Sequence, residues 1–209
     1  MDKIEIDQLL QPFAKLDQQQ LALTSIYIDL LLKWNARTNL TAVREPREMV
    51  TRHFGESYFA AEILRSYEPA SLIDLGSGAG FPGIPIAISL PGIQVTLIES
   101  NQKKSTFLKE VIFVLKLKNV SVFNGRAESY DRKAGLVTMR AVEGFERVLA
   151  TAVALVEQKG GIALMIGEGQ IVKARNLAQE VEWEDPVIIP GGHSRILLIG
   201  TKDAKVERR

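Results

Sequence analysis

The sequence predicts an α/β fold: a mostly parallel, seven-stranded sheet with an antiparallel edge, set behind an N-terminal helical cap. Three observations predict it. The stretch Leu72–Ile88, LIDLGSGAGFPGIPIAI, reads as strand, glycine loop and helix in immediate succession. From Ala70 onward, short β-type runs alternate with segments of helical periodicity, the pattern of a parallel sheet with crossover helices. The last two β-type runs have no helix between them, which makes the final connection antiparallel.

Residues 1–66 form the cap and 67–209 the sheet domain, the two belonging to one folding unit. In the cap, Ile4, Leu9, Leu10 and Phe13 mark a short helix. Asp17 is placed to cap a second helix, over which Leu21, Leu23, Ile26, Ile28, Leu30, Leu31 and Trp34 recur at helical spacing. Asn35–Thr41, NARTNLT, is polar and turn-like. Pro46 opens a third helix that continues through Met49, Val50, Phe54, Tyr58, Phe59, Ile63 and Leu64.

Ser71–Leu75 is the first strand and Phe81–Leu90 a helix. After the Pro91-Gly92 turn comes the second strand, Ile93–Glu99. Asn101 caps a helix carrying Phe107, Leu108, Val111, Ile112, Val114 and Leu115. Val120–Phe123 and Leu136–Met139 are strands, and Phe145–Glu157 is a helix. Gly160-Gly161 turns the chain into the fifth strand, Ile162–Ile166. Lys173–Val181 reads as a helix, and Pro186–Pro190 and Ile196–Thr201 as the closing strands. The terminal KDAKVERR reads as a frayed tail.

The composition excludes several functions. The chain of 209 residues has no cysteine, which removes disulfides, cysteine-based zinc sites and cysteine nucleophiles. The two histidines, His53 and His193, are far apart and lack companion ligands, so no metal site is expected. The N-terminus is acidic where a secretory signal would be basic, and no apolar run approaches the roughly 20 residues of a membrane span. A cytoplasmic protein is expected. With a net charge of +1, any case for nucleic acid rests on local clustering.

The candidate site residues lie where the strands end. Glycines at 76, 78, 80 and 83 allow positive φ and close approach of a ligand to the main chain. Gly78 to Gly83 spells G-x-G-x-x-G, the dinucleotide fingerprint. The strand, however, feeds Gly76, so this fingerprint starts two residues late. The form beginning at Gly76, G-x-G-x-G preceded by Asp74, resembles motif I of S-adenosylmethionine-dependent methyltransferases. Glu99 ends the second strand, where a carboxylate can accept bonds from both ribose hydroxyls. After the third strand, the Ala127 backbone and the Glu128 side chain are placed for an adenine edge. Taken alone, Arg126 and Glu128 read as solvated loop charges. Arg140 ends the fourth strand as a fixed cation facing a cofactor carboxylate or a phosphate, or as part of a surface ion pair. Lys33, Arg37, Arg44, Arg47, Arg52 and His53 form a basic cluster around Trp34, offset by Glu45 and Glu48. Such a cluster either neutralises phosphates or is a solvated face with Trp34 in the core.

Taken together, IDLGSGAGFPGIPIAI, the upstream KWNARTNLTAVREPREMVTRH and the downstream GRAE and MRAV resemble the bacterial 16S rRNA 7-methylguanosine methyltransferase G family over roughly Leu21 to Thr201. The resemblance implies a Rossmann-like class I methyltransferase fold, with S-adenosylmethionine as cofactor and 16S rRNA or the small ribosomal subunit as partner. Carried over by position, it implies cofactor contacts at Gly76, Gly78, Phe81, Glu99, Ala127, Glu128 and Arg140. It places Asn39, Arg44, Arg52, His53 and Arg195 on the substrate side. Two departures stand out. Glu56-Ser57 replaces a common Asp-Ser, and Met165-Ile166-Gly167 stands where many members have Leu-Lys-Gly.

Methyl transfer to guanine N7 needs no base to generate the nucleophile, because N7 carries a free lone pair. No dedicated catalytic acid or base is expected, and Arg140 is the electrostatic candidate. Two other readings compete. An NAD(P)-dependent oxidoreductase would follow from G-x-G-x-x-G, but the chain contains no Tyr-x-x-x-Lys. A non-catalytic RNA-binding ribosome-assembly protein would have little use for intact glycines, Glu99 and Glu128.

Overall fold

The computed structural model describes residues 1–142, 144–191 and 194–203. His193 and the tail from residue 204 onward lie outside the described residues. At the centre is β1 (Ser71–Leu75), parallel to β2 (Gln94–Glu99) on one side and to β4 (Ala134–Arg140) on the other. Outside these lie β3 (Val120–Asn124) and β5 (Val156–Gly167), also parallel. β8 (Arg195–Lys202) pairs antiparallel with β5, and its outer edge carries β6 (Val181–Trp183) and then β7 (Val187–Ile188). The order is β3-β2-β1-β4-β5-β8-β6, with β7 on β8.

Within each strand, alternate residues enter opposite cores. Leu72, Val95, Leu97, Leu136, Ala163 and Leu197 join one; Ile73, Ile98, Val137, Met139, Ile162, Leu164 and Leu198 join the other. Both faces are therefore covered, as a parallel sheet requires. The first core also takes in α5 (Gly83–Ser89), α6 (Gln102–Leu115) and the cap; the second takes in α7 (Phe145–Leu155) and α8 (Ile171–Leu177).

In the cap, α1 (Lys3–Leu10) starts at Asp2, whose carboxylate accepts the Glu5 N–H at 2.8 Å. The expected Asp17 cap of α2 (Gln18–Thr38) is present as a reciprocal capping box with Gln20. That helix runs through the stretch read as a turn. Asn35 stays helical and buried because its side chain accepts the Thr41 N–H at 2.9 Å and donates to Val43 O at 3.4 Å, so it organises the following loop from inside the helix. The third expected helix is one helical run in three parts: α3 (Pro46–Met49), a π turn (Val50–Gly55) and α4 (Glu56–Leu64).

The C-terminal edge differs from the sequence reading. α8 ends at Leu177, and Val181–Trp183 is an additional strand. Its alternation, Val181 and Trp183 inward with Glu182 outward, is too short and too acidic to read as β. A Cβ on Gly200 would lie 2.5 Å from Val181 and 2.8 Å from Trp183, so the bare backbone of β8 is what lets β6 approach.

Asp74, fully buried in β1, ties three elements together. Its Oδ2 accepts the Gly83 N–H at 3.1 Å and its Oδ1 accepts the Thr138 hydroxyl at 2.9 Å. Gly83 has no room for a side chain; a Cβ would lie 2.4 Å from Leu97 and 2.8 Å from Asp74. Burial raises the Asp74 pKa to about 6, against hydrogen bonds from Thr138, Gly83 and Ser77 that lower it. The folded state therefore holds a proton that the unfolded chain releases near pH 4. Stability from this group is complete below pH 4 and is lost as pH rises to about 6, by about 2–3 kcal/mol. Asp74→Asn can keep both contacts while neutral. In urea titrations from pH 4 to 7, the stability of the native chain should fall relative to that of Asp74→Asn by about 2–3 kcal/mol, the difference isolating Asp74 from the opposite trend that His53 contributes to both chains.

Candidate active site

The chain leaves β1 toward β2 and later enters β4 on the opposite side, so the loops after β1 and β4 diverge at a topological switch point. A crevice of about 460 Å³ opens there. The glycine loop enters its lining at Gly76 and is stitched to the end of β2. The N–H groups of Gly76 and Ser77 both donate to Ile98 O, at 3.0 and 3.1 Å. Gly76, Gly78 and Gly80 all have positive φ. Gly76 is the first residue out of the strand, and a Cβ on it would lie 2.8 Å from Val142. At Gly78 no heavy atom comes closer to a Cβ position than 3.8 Å, so the missing side chain leaves open space.

Glu99, at the end of β2, is 7% exposed and lines the crevice. Its carboxylate accepts the Gly78 N–H at 2.8 Å and the Asn101 N–H at 2.7 Å. Each oxygen keeps a second lone pair for a ligand hydroxyl. Asn101 caps α6 as expected, accepting from Lys103 and Lys104 N–H. Ala127 and Glu128, in a 3-10 turn after β3, form the far wall.

The expected cofactor residues thus fall into two groups. Gly76, Glu99, Ala127 and Glu128 line the crevice, and Gly78 braces it through Glu99. Phe81 and Arg140 lie outside its lining. Phe81 is buried, stacked between Tyr27 at 5.4 Å and His53 at 5.0 Å, while the Tyr27 hydroxyl donates to Ala79 O beside it. Arg140 turns toward the cap. It donates to Arg52 O at 2.6 Å and His53 O at 3.5 Å, and pairs with Glu56 at 3.1 Å. Lys104, Arg147 and Thr151 also line the crevice and were not singled out from the sequence. They sit on helices as ordinary polar residues, with no local signal.

A second cavity, about 190 Å³, shares Ala141 and Val142 with the first. Arg52, Glu56, Arg140 and Arg195 line it, together with Phe145 and Met165. Glu56, the residue that departs from the common Asp, is 2% exposed and lies between two arginines, 3.1 Å from Arg140 and 2.7 Å from Arg195. Burial pushes its pKa up, opposed by Arg140, Arg195 and Arg52. His53 packs behind this cluster. Its Nδ1 is 3.3 Å from Arg140 and its Nε2 is 2.7 Å from the Thr41 hydroxyl. Burial, then Arg140, Arg52 and Arg195, lower its pKa to about 3, so His53 is neutral at physiological pH. Because Arg140 can only donate, Nδ1 accepts and Nε2 carries the proton.

The rest of the basic cluster disperses. Arg44 braces the end of α2 through Asn39 Oδ1 at 2.5 Å and Asn35 O at 3.3 Å. Arg47 pairs with Glu5, and Arg52 with Glu48. Trp34 packs on Phe107 at 5.6 Å and donates its indole N–H to Glu110. Among the described residues, no group of three or more His, Cys, Asp or Glu side chains could hold a metal, and no helix is long and apolar enough to cross a membrane.

A doubly wound sheet with a glycine loop and a strand-end carboxylate around its switch-point crevice is the architecture of Rossmann-like methyltransferases. Solved structures agree at the level of fold. A putative O-methyltransferase from Klebsiella pneumoniae aligns with a TM-score of 0.65 at 15% identity, covering 95% of this chain and 96% of that one. M. jannaschii TYW2 in complex with AdoMet aligns with a TM-score of 0.51 at 20% identity, covering 63% and 67%. The sequence comparisons are narrower: the profile of rRNA small subunit methyltransferase G matches residues 20–189. Ribosomal RNA small subunit methyltransferase G of Nitrosomonas europaea is 41% identical over 172 residues, 79% of each chain. Its counterpart in Roseiflexus castenholzii is 37% identical over 203 residues, covering 91% of this chain and 86% of that one. The chain belongs to the rRNA small subunit methyltransferase G family.

Two substitutions probe the two cavities. Gly78→Asp, at a left-handed position that Asp tolerates, fills the open space with a second carboxylate beside Glu99. It should weaken S-adenosylmethionine binding roughly a hundredfold, about 2.7 kcal/mol by calorimetry, with little change in melting temperature. Glu56→Gln removes the anion between Arg140 and Arg195 and should cost about 3 kcal/mol of stability in urea unfolding.

Proposed function

We propose that this chain is an enzyme that transfers the methyl group of S-adenosylmethionine to N7 of a guanine in 16S rRNA, acting in the cytoplasm on the rRNA or the small ribosomal subunit. The observation that supports it most directly is the shared wall at Ala141 and Val142. It separates a nucleoside-sized crevice with a carboxylate at its rim from a pocket lined by arginines.

The residues present fit the cofactor. Glu99 has lone pairs left for the ribose hydroxyls, Gly78 leaves the space a side chain would fill, and the Ala127–Glu128 turn offers a polar edge for adenine. S-adenosylmethionine supplies a methyl group on a sulfonium and takes back the bonding electron pair when the methyl leaves. The chain's task is then alignment. Guanine N7 is already an unprotonated lone pair at neutral pH, so nothing has to accept a proton before attack. The surroundings agree with that requirement. His53 is neutral and spoken for at both ring nitrogens, and Asp74 is consumed by backbone and Thr138. Arg140, in the pocket wall, fixes the π turn that carries Arg52 and His53, and Arg52 and Arg195 line the same pocket as cations for phosphates.

The test is to map N7-methylguanosine in small-subunit rRNA from cells with and without the gene, and then to incubate the unmodified rRNA or subunits with the purified chain and tritiated S-adenosylmethionine. One modified guanine should disappear in the deletion and return in vitro. A deletion with an unchanged map, and no tritium transfer to RNA, would overturn the proposal.

A further inference from the structure

A third cavity, about 540 Å³, adjoins the arginine-lined second cavity, which on the proposed function is the acceptor pocket for the guanine, and nothing in the reaction outlined above uses it. Its walls come from three separate elements: Gln8, Leu9, Pro12 and Phe13 at the end of α1; Glu48, Thr51 and Arg52 across α3 and the π turn; and Gly191 and Arg195 in the last hairpin. Arg52 and Arg195 belong to both this cavity and the acceptor pocket. The three cavities thus form a chain of spaces. The first two share Ala141 and Val142, and the second two share a pair of cations.

We infer that this third cavity holds the nucleotide adjoining the target guanine in the RNA strand, its base against the Phe13–Pro12–Leu9 wall and the linking phosphate between Arg52 and Arg195. The inference rests on the proposed function and extends it to a second subsite.

Three observations carry it. First, a base drawn into the acceptor pocket remains covalently joined to its neighbours, so the strand must continue into an adjoining space. Second, the shared boundary bears two arginines against one buried carboxylate, Glu56, which already serves Arg140 as well. Arg195 meets Glu56 through its buried Nε, at 2.7 Å, and Arg52 meets Glu48 through one terminal nitrogen, so the remaining terminal N–H groups of these two partly exposed guanidinium groups are left for a phosphate oxygen. Third, the far wall is apolar and aromatic, as a stacking platform for a base of any sequence should be. Phe13 is half-buried, and a Cβ on Gly55 would lie 2.7 Å from its ring, so the ring rests flat on the bare backbone of the π turn and is held rigid. Among the described residues, Glu48 is the one anion in the lining. It pairs with Arg52 at 2.9 Å across an exposed i,i+4 contact, an interaction worth only a few tenths of a kcal/mol, which a phosphate can displace.

The experiment measures methyl transfer from tritiated S-adenosylmethionine to unmodified small-subunit rRNA by the full chain. Gln8 is exposed on the rim of the cavity, has no partner from another element to lose, and can be changed in both directions. Gln8→Glu should raise KM for RNA about fivefold and Gln8→Lys should lower it by a similar factor, with kcat and cofactor affinity unchanged. Gln179→Glu, beyond α8 on the other face of the sheet, is the charge control and should change nothing. The stacking wall is tested by RNA carrying an abasic residue on either side of the target guanine. One of the two should raise KM for the native chain, and Phe13→Ala should erase that difference. Should Phe13→Ala fail to fold, Leu9→Ala replaces it on the same wall. Equal KM values for both Gln8 variants, or indifference to both abasic RNAs, would overturn the subsite while leaving the methyltransferase reading intact. Absence of any transfer by the native chain would overturn both.

Discussion

Two buried carboxylates, each accepting backbone N–H groups of the glycine loop, set the geometry on which the site depends. Asp74 takes the N–H of Gly83, at the start of α5, and Glu99 takes the N–H of Gly78, at the bend of the loop. A loop rich in glycine has the most conformational freedom to lose on folding. Here that freedom is removed by side chains at the ends of β1 and β2, which are themselves locked into the sheet by parallel pairing. The same carboxylate that would hold a ribose therefore also holds the loop beneath it. Crevice and fold are not separable at Glu99.

The cap is joined to this frame by a cation. Arg140 extends from the end of β4 and satisfies its guanidinium on the carbonyls of Arg52 and His53 and on Glu56. Burying arginine is costly unless its donors are used, and here two carbonyls of the π turn and one carboxylate use them. Phe81 adds an apolar link, stacked on Tyr27 from α2 and on His53 from the π turn. Residues that a cofactor-centred reading places in the crevice thus join the sheet to the cap instead.

Much of this was legible in the chain itself. The switch from helical periodicity to strand–helix alternation at Ala70, the caps at Asp17 and Asn101, and Glu99 at a strand end all follow from local rules, because each is decided by near neighbours in sequence. What was not legible depends on contacts far apart in the chain. Asn35 stays inside α2 only because the 41–43 segment folds back on it. β6 exists only because Gly200 admits it. The direction of Arg140 is set by carbonyls almost ninety residues earlier, and no spacing rule reports on them. Glu56 stood out in the sequence only as a departure from a common Asp; its place between two arginines becomes evident in three dimensions.

The π turn has a consequence for chain length rather than for chemistry. An α-helix advances about 100° per residue, so one additional residue within a continuous helix shifts the facing of everything before it relative to everything after it. In Pro46–Leu64 that phase shift lets α3 present Glu48 to the groove beside α1 while α4 keeps its buried face against α5. Between Val50 and Gly55, then, the number of residues is constrained as firmly as their identity. A single deletion here would rotate the wall formed by Glu48, Thr51 and Arg52 out of register with α4 and the sheet behind it.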